Sequence, residues 1–211
     1  LANLFGWSAR KDSAVEKTAP APPADQVSTS SVLPRFLSAL SQIDTPTILD
    51  LGPVVGSNVE FLGDTLGCKL LIGDLQRDLE TEGITDDEVR ERIMARLQST
   101  VVGPINGVLC WDLFDFLSKP TAQALGAFLI GTLAPGGVVH GFFGTTQGEL
   151  THHSRFVLQS PRSLECRRIP ARPVKRTVLQ TRDLAAIFGG LTIVESVLLK
   201  TQQRETLLRK P

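Results

Sequence analysis

The chain has 211 residues, 42% hydrophobic and 21% charged, with a formal net charge of zero, which suits one soluble domain with a substantial core. That neutrality gives the whole molecule no pull toward nucleic acid, and no apolar run reaches the roughly 18 residues a bilayer span needs. Cys68, Cys110 and Cys166 are scattered and form no CxxC pair, so neither a disulfide framework nor a zinc site is expected. The start, "LANLFGWSARKDS", has no basic stretch leading into a long apolar one; with the free cysteines this makes a cytoplasmic location the expectation.

Residues 1–31 are expected to be a disordered tail, because "KDSAVEKTAPAPPADQVSTSS" is rich in Ala, Pro, Ser and charge without apolar periodicity. Leu4, Phe5 and Trp7 form an apolar knot before it. The domain is expected over 32–211. Leu33, Phe36, Leu37 and Leu40 lie at helical spacing, and "TPTILDL" then reads as a buried strand. "SNVE", Ser57 to Glu60, has capping-box spacing and predicts a helix that Gly67 ends. "KLLIGD" is a second strand, and "TDDE" at Thr85 to Glu88 opens a charged helix running to about Leu97. "NGVLCWDLF" predicts a third strand, Leu125 to Leu133 a helix face, and "VVHGFF" another strand. Leu184, Ile187 and Phe188 mark a late helix stopped by Gly189 and Gly190; "LTIVESVLLK" and "RETLLRKP" then make a hairpin. Alternating helices and continuously apolar strands predict an α/β fold: a mostly parallel, doubly wound sheet with helices on both faces and a C-terminal antiparallel β-hairpin.

In such sheets ligands sit beyond the carboxyl ends of the strands, where strand order switches. The first strand-to-helix turn, "LDLGPVVGSNVEF" (Leu49 to Phe61), runs through an acid and two glycines. It resembles motif I of the class I S-adenosylmethionine (SAM) dependent methyltransferases, a Rossmann-like family. "LLIGDLQRDL" is similar to the family's second motif, "GVLCWDLFDFL" to its fourth-strand segment, and "LAPGGVVHGFF" to its PGG turn and fifth strand. The resemblance covers about Val32 to Pro211. It implies a SAM site in which Asp50 faces the cofactor's amino group and Gly52 lets the backbone approach. The helix after Gly56 and Ser57 would offer N–H groups to the carboxylate. It implies further that Asp74 holds the ribose hydroxyls, that Leu75 packs on adenine, and that Cys110, Trp111 and Asp112 line the methyl path. No catalytic residue and no metal site is assigned.

Two departures accompany the resemblance. Val54 stands where the family usually has a glycine, and Pro53 stiffens the same turn. The expected third strand, with its adenine-recognising residue, has no equivalent between Asp74 and Gly107; Val101 and Val102 are its only candidate stub. These departures favour a second reading, a methyltransferase-fold binding or assembly module without catalysis. A nicotinamide-binding domain is disfavoured, since Gly52 and Gly56 miss the GxGxxG spacing. The SAM reading requires Asp50 and Asp74 to border one hollow with room for an adenosyl group.

Simpler readings stand beside these: a tight turn with close helix packing for Gly52 and Gly56, a hydrogen bond to the turn's own backbone for Asp50, a helix cap or surface acid for Asp74, core packing for Trp111 and Phe116, a satisfied core histidine for His140, and a solvated loop for His152 and His153. Residues 147–178 are expected as an inserted basic cover. Arg155 to Arg182 contains eight Lys or Arg residues against Glu165 alone, while acids crowd Asp74 to Glu91. That asymmetry suggests a small-molecule or anionic substrate, set against the simpler alternative of a basic loop paired with the acidic face. Aromatic residues are not interleaved with the basic ones, which argues against single-stranded nucleic acid. A protein partner is left open.

Overall fold

The computed structural model describes residues 26–211; Leu4, Phe5 and Trp7 lie outside the described residues. Chain order is β1 (Gln26–Thr29), α1 (Leu33–Leu40), β2 (Thr47–Asp50), α2 (Gly56–Leu66), β3 (Lys69–Ile72), α3 (Gln76–Leu79) and α4 (Asp86–Thr100). There follow β4 (Ile105–Trp111), α5 (Lys119–Thr132), β5 (Leu133–Gly144), β6 (Glu149–Ser160), β7 (Ser163–Lys175), α6 (Thr181–Ile187), β8 (Thr192–Leu198) and β9 (Gln203–Arg209).

A six-stranded mixed sheet runs β3-β2-β4-β5-β9-β8. The β2–β3, β2–β4 and β4–β5 ladders are parallel, and β9 runs antiparallel to both β5 and β8. Strand neighbours alternate between two cores. Ile48, Leu109, Val138 and Leu207 pack with α1 and α2, whereas Leu49, Val108, Val139 and Leu208 pack with α4, α5 and α6. The period of two along each strand therefore feeds two helical layers, one on each face. No helix of the described residues is long and apolar enough to cross a membrane.

The charged helix α4 carries the capping box expected at its start: Thr85 N–H donates to the Glu88 carboxylate at 2.7 Å, and Glu88 N–H to the Thr85 hydroxyl at 3.3 Å. The corresponding box at Ser57 does not form. α2 begins one residue earlier, at Gly56, behind an extended Val55 that caps without a side-chain bond. Gly67 ends α2 at φ 57°, a left-handed cap that favours glycine. No described strand pairs with the outer side of β3, and Val102 is 81% exposed, so the segment after α4 is not a stub of a further strand.

The segment expected as a tail boundary and a loop is instead built. β6 and β7 form a long antiparallel hairpin, and β1 adds to it in the order β1-β7-β6. Order thus starts at least by Gln26. A buried polar node ties this end to the main sheet. Ser30 hydroxyl donates to Glu205 at 2.5 Å, and His140 Nε2 lies 2.8 Å from the same carboxylate oxygen. His140 is a core histidine, in contact with Phe36 and Phe142; Nε2 is partnered by Glu205, whereas Nδ1 has no hydrogen-bond partner among the described residues. Glu205→Ala strips a buried acceptor from two donors, so a loss of about 3 kcal/mol is expected in urea unfolding. A loss under about 1 kcal/mol would show that the node is not a stabilising tie.

Candidate functional site

Strand order reverses at β2: the chain passes to β3 on one side and crosses to β4 on the other. The β2–β4 rim is therefore the switch point, where ligands sit in open α/β sheets. Asp50 ends β2 and Trp111 ends β4 at this rim.

Asp50 is buried and its carboxylate is engaged from within. Oδ1 accepts the Gly52 N–H at 2.9 Å and the Trp111 indole N–H at 2.6 Å. A methyl group placed on Gly52 would stand 2.7 Å from Trp111 Cδ1, so the glycine is required by the indole lying over the turn. Trp111 also stacks on Phe156 (centroids 5.1 Å, planes 8° apart), and Phe156 stacks on Phe142 (4.9 Å, 4°). The space left beside Gly52, Pro53, Cys110 and Asp112 is about 20 Å³. Next to it, sharing Leu79, Phe116 and His153 as walls, opens a cavity of about 460 Å³.

Asp74 follows β3, with φ 45°. Its neighbours explain the twist: Gly73 N–H donates to Asp50 C=O at 2.7 Å and Leu75 N–H to Leu51 C=O at 3.1 Å. Both amides stay zipped to the β2 strand and the turn, which forces the intervening residue into the left-handed region. The Asp74 side chain lies 3.7 Å from Arg77, and its charge is near enough to push Asp50 upward. Trp111 at φ 50° is the matching outlier at the end of β4. Non-glycine residues at positive φ cost about 1–3 kcal/mol each and gather at functional sites.

The other expected residues divide. Leu75 is fully buried in the core beside Leu51 and Ile93, unavailable to a base. Gly56 starts α2 with open space around its Cα. Asp112 lies beneath the β6–β7 hairpin, hydrogen-bonded to Ser154; burial raises it to about 6, while Ser154, Arg176 and Arg168 pull it down. Cys110 is buried and its thiol is pushed well up, chiefly by burial, so it is inert.

Three contacts were not anticipated from the sequence. Asn58 uses its whole amide on β6, donating to Phe156 C=O at 2.9 Å and accepting from Leu158 N–H at 2.8 Å, which pins the start of α2. Asp115 accepts the Gly144 N–H at 2.7 Å and pairs with Arg176 at 3.2 Å; burial raises it to about 7. His152 and His153 are not in a loop but adjacent in β6, where alternation sends them to opposite faces. His153 stacks against Phe116 at 4.7 Å and lies 3.5 Å from Glu80. Arg172 reaches Glu82 at 3.9 Å, so part of the basic segment does pair with the acidic one. Among the described residues no group of three His, Cys, Asp or Glu is placed to hold a metal ion.

The arrangement fits a SAM amino group in kind, since a buried carboxylate at the switch point would take it, but not in space while the indole lies on Gly52. Neither Asp50 nor Asp74 lines the small space or the cavity next to it, so the single hollow with room for an adenosyl group that the SAM reading requires is not formed in this conformation.

No protein-family model matches the sequence, and no curated protein matches it. Solved structures similar to the chain include SAM-dependent methyltransferases. One, from Clostridium acetobutylicum, is 12% identical over 83% of this chain and 91% of its own, with a TM-score of 0.49. Magnesium protoporphyrin IX methyltransferase of Synechocystis, with bound SAM, is 13% identical over 85% of this chain and 77% of its own, also at 0.49. The N-methyltransferase NodS of Bradyrhizobium japonicum, with S-adenosylhomocysteine (SAH), is 13% identical, covers 85% of each chain, and scores 0.47. At such identities and scores no residue role or substrate passes from them to this chain.

Burial raises Asp50 from an ordinary 3.8 to about 6; the Gly52 and Trp111 bonds oppose it and the Asp74 charge adds to it. A carboxyl raised on folding stabilises fully below its unfolded pKa, and that contribution is lost as pH rises through about 6. Asp50→Asn keeps an acceptor for both N–H groups and does not ionise. Its stability relative to the parent is expected to rise by up to roughly 3 kcal/mol between pH 4 and pH 7 in urea unfolding. A pH-independent difference would show that Asp50 is not raised.

Proposed function

We propose that the chain is a SAM-dependent methyltransferase-like protein whose cofactor crevice, bordered by Asp50 and Gly52, is closed in the described conformation by Trp111. The observation that carries this reading is the buried Asp50 carboxylate at the switch point of a doubly wound sheet, capped by a tryptophan in strained backbone. Left-handed backbone at Trp111, which ends β4, and at Asp74, which follows β3, lies where a ligand would be gripped, although Thr45 and Gln202 adopt it elsewhere.

When bound, SAM would supply a methyl group already activated on a sulfonium. The protein's part is then chiefly to position an acceptor, which needs no acid–base pair of its own. In the open form Asp50 would hold the amino group, Gly52 would leave the backbone accessible, and the cavity of about 460 Å³ beside Phe116 would supply the room that the rim lacks. Asp74 is the ribose-binding candidate, though its side chain borders neither cavity, and Asp112 with Ser154 would face the transferred group. The β6–β7 hairpin, residues 147–178 with their flanks, would cover the acceptor.

A second reading is favoured by one observation, the room of only about 20 Å³ beside Gly52 and Trp111. It makes the chain a methyltransferase-fold binding module that uses no cofactor.

Thermal unfolding with saturating SAM or SAH separates the two, using the wild type and Trp111→Ala. A ligand at about 100 times its Kd stabilises by roughly 2.7 kcal/mol. A rise in Tm is expected for both proteins, larger for Trp111→Ala, in which no indole has to leave. Asp74→Ala is expected to abolish most of the wild-type rise; a rise that persists would remove the ribose role. If neither folded protein responds to either ligand, the module reading holds.

A further inference from the structure

The three-stranded sheet roofs a separate cavity of about 630 Å³, within the size range of small-molecule sites. Register explains its lining. Ser154 pairs with Arg168, Phe156 with Cys166, and Gln26 with Cys166 from the other side. His152, Ser154 and Phe156, two residues apart along β6, therefore share one face with Cys166 and Arg168, while His153 turns away to the 460 Å³ cavity.

The lining is unbalanced in charge. Arg168, Arg176 and Lys200 border it, against the single carboxylate of Asp112. Arg176 is committed to Asp115 at 3.2 Å. Arg168 and Lys200 have no carboxylate within 4 Å among the described residues, although Arg168 also touches the Cys166 thiol. His152 is pushed below its ordinary value, first by burial and then by Arg168 and Arg176, so at neutral pH it offers hydrogen bonds without charge. The rest of the wall is mixed: Phe142, Leu150, Phe156 and Leu199 form an apolar patch, and Gln26, Ser28, Thr29, Thr201 and Gln203 are polar. A half-buried guanidinium on the same wall as an apolar patch suits a planar carboxylate attached to an apolar body, which it binds through two parallel N–H bonds, better than a bare inorganic ion.

We propose that this cavity binds an aromatic carboxylic acid, its ring against Leu199, Leu150 and the edges of Phe142 and Phe156, whose faces are already stacked, and its carboxylate on Arg168, with Lys200 adding charge at the rim. The site stands on its own geometry and needs no cofactor. On the methyltransferase reading, the same acid is the acceptor class, since Asp112 and Ser154 border both this cavity and the Asp50 crevice.

The test is calorimetric titration of the full chain, without SAM, using 1-naphthoate, its neutral analogue 1-naphthamide, and acetate. Naphthoate is expected to bind at least roughly tenfold more tightly than either comparator, and to weaken as salt rises. Arg168→Gln is expected to weaken naphthoate by roughly tenfold while leaving naphthamide unchanged, with Tm confirming that the variant is folded. Should Arg168→Gln fail to fold, Lys200→Gln, at an exposed position, is expected to give a smaller loss of the same selectivity. Equal binding of naphthoate and naphthamide overturns the carboxylate contact. Acetate binding as tightly as naphthoate overturns the aromatic one. No binding of naphthoate at millimolar concentration overturns the site. None of these outcomes depends on whether SAM binds, so this proposal and the cofactor reading fail separately.

Discussion

The hydrogen bond from the Trp111 indole to Asp50 governs this rim of the molecule. It gives a buried carboxylate a partner, without which removing it from water would cost several kcal/mol. It also sets the indole flat against Gly52 and Phe156, so one bond closes the turn after β2 and fixes the end of β4. The left-handed backbone at Trp111 is the cost of reaching that position. Everything else at the switch point is arranged around it: the zipped amides of Gly73 and Leu75, the pinned start of α2 through Asn58, and the stacked rings of Phe156 and Phe142.

The two histidines of β6 show how a single strand can serve two chambers. Their ring nitrogens are chemically alike, yet His153 meets Phe116 and Glu80 while His152 faces Arg168 and Arg176. The hairpin thus divides the rim into an acidic-walled side near Glu80, Glu82 and Asp86 and a basic-walled side near Arg168 and Lys200. Zero net charge conceals this separation, because opposite signs are sorted in space and cancel only in the sum.

Much of the fold was legible, because apolar strands and helix caps are local signals. Thr85 and Glu88 specify their capping box with residues three apart, and Gly67 supplies a left-handed cap that needs no distant partner. Ser57 and Glu60 share that spacing but lose to the neighbouring chain: α2 already starts at Gly56 behind an extended Val55, and Asn58 is drawn onto β6. The hairpin escaped notice because Leu150, His152, Ser154, Phe156 and Leu158 alternate in space but are not uniformly apolar, so a half-polar chamber wall looks like a loop. Asp50 and Asp74 could be picked out as acids ending strands. Whether a carboxylate there is free or already held by an indole 61 positions away depends on tertiary placement, which no short window contains.

A short edge strand forms the far border of the domain. The main sheet stops at β3, a strand of only four residues that opens on Lys69. Its outer backbone groups face no described strand, and such a row is a template on which a second molecule can stack. Brevity and a flanking ammonium group are two of the devices by which natural sheets resist that capture, so this border is a frayed hem too short to be sewn to another copy.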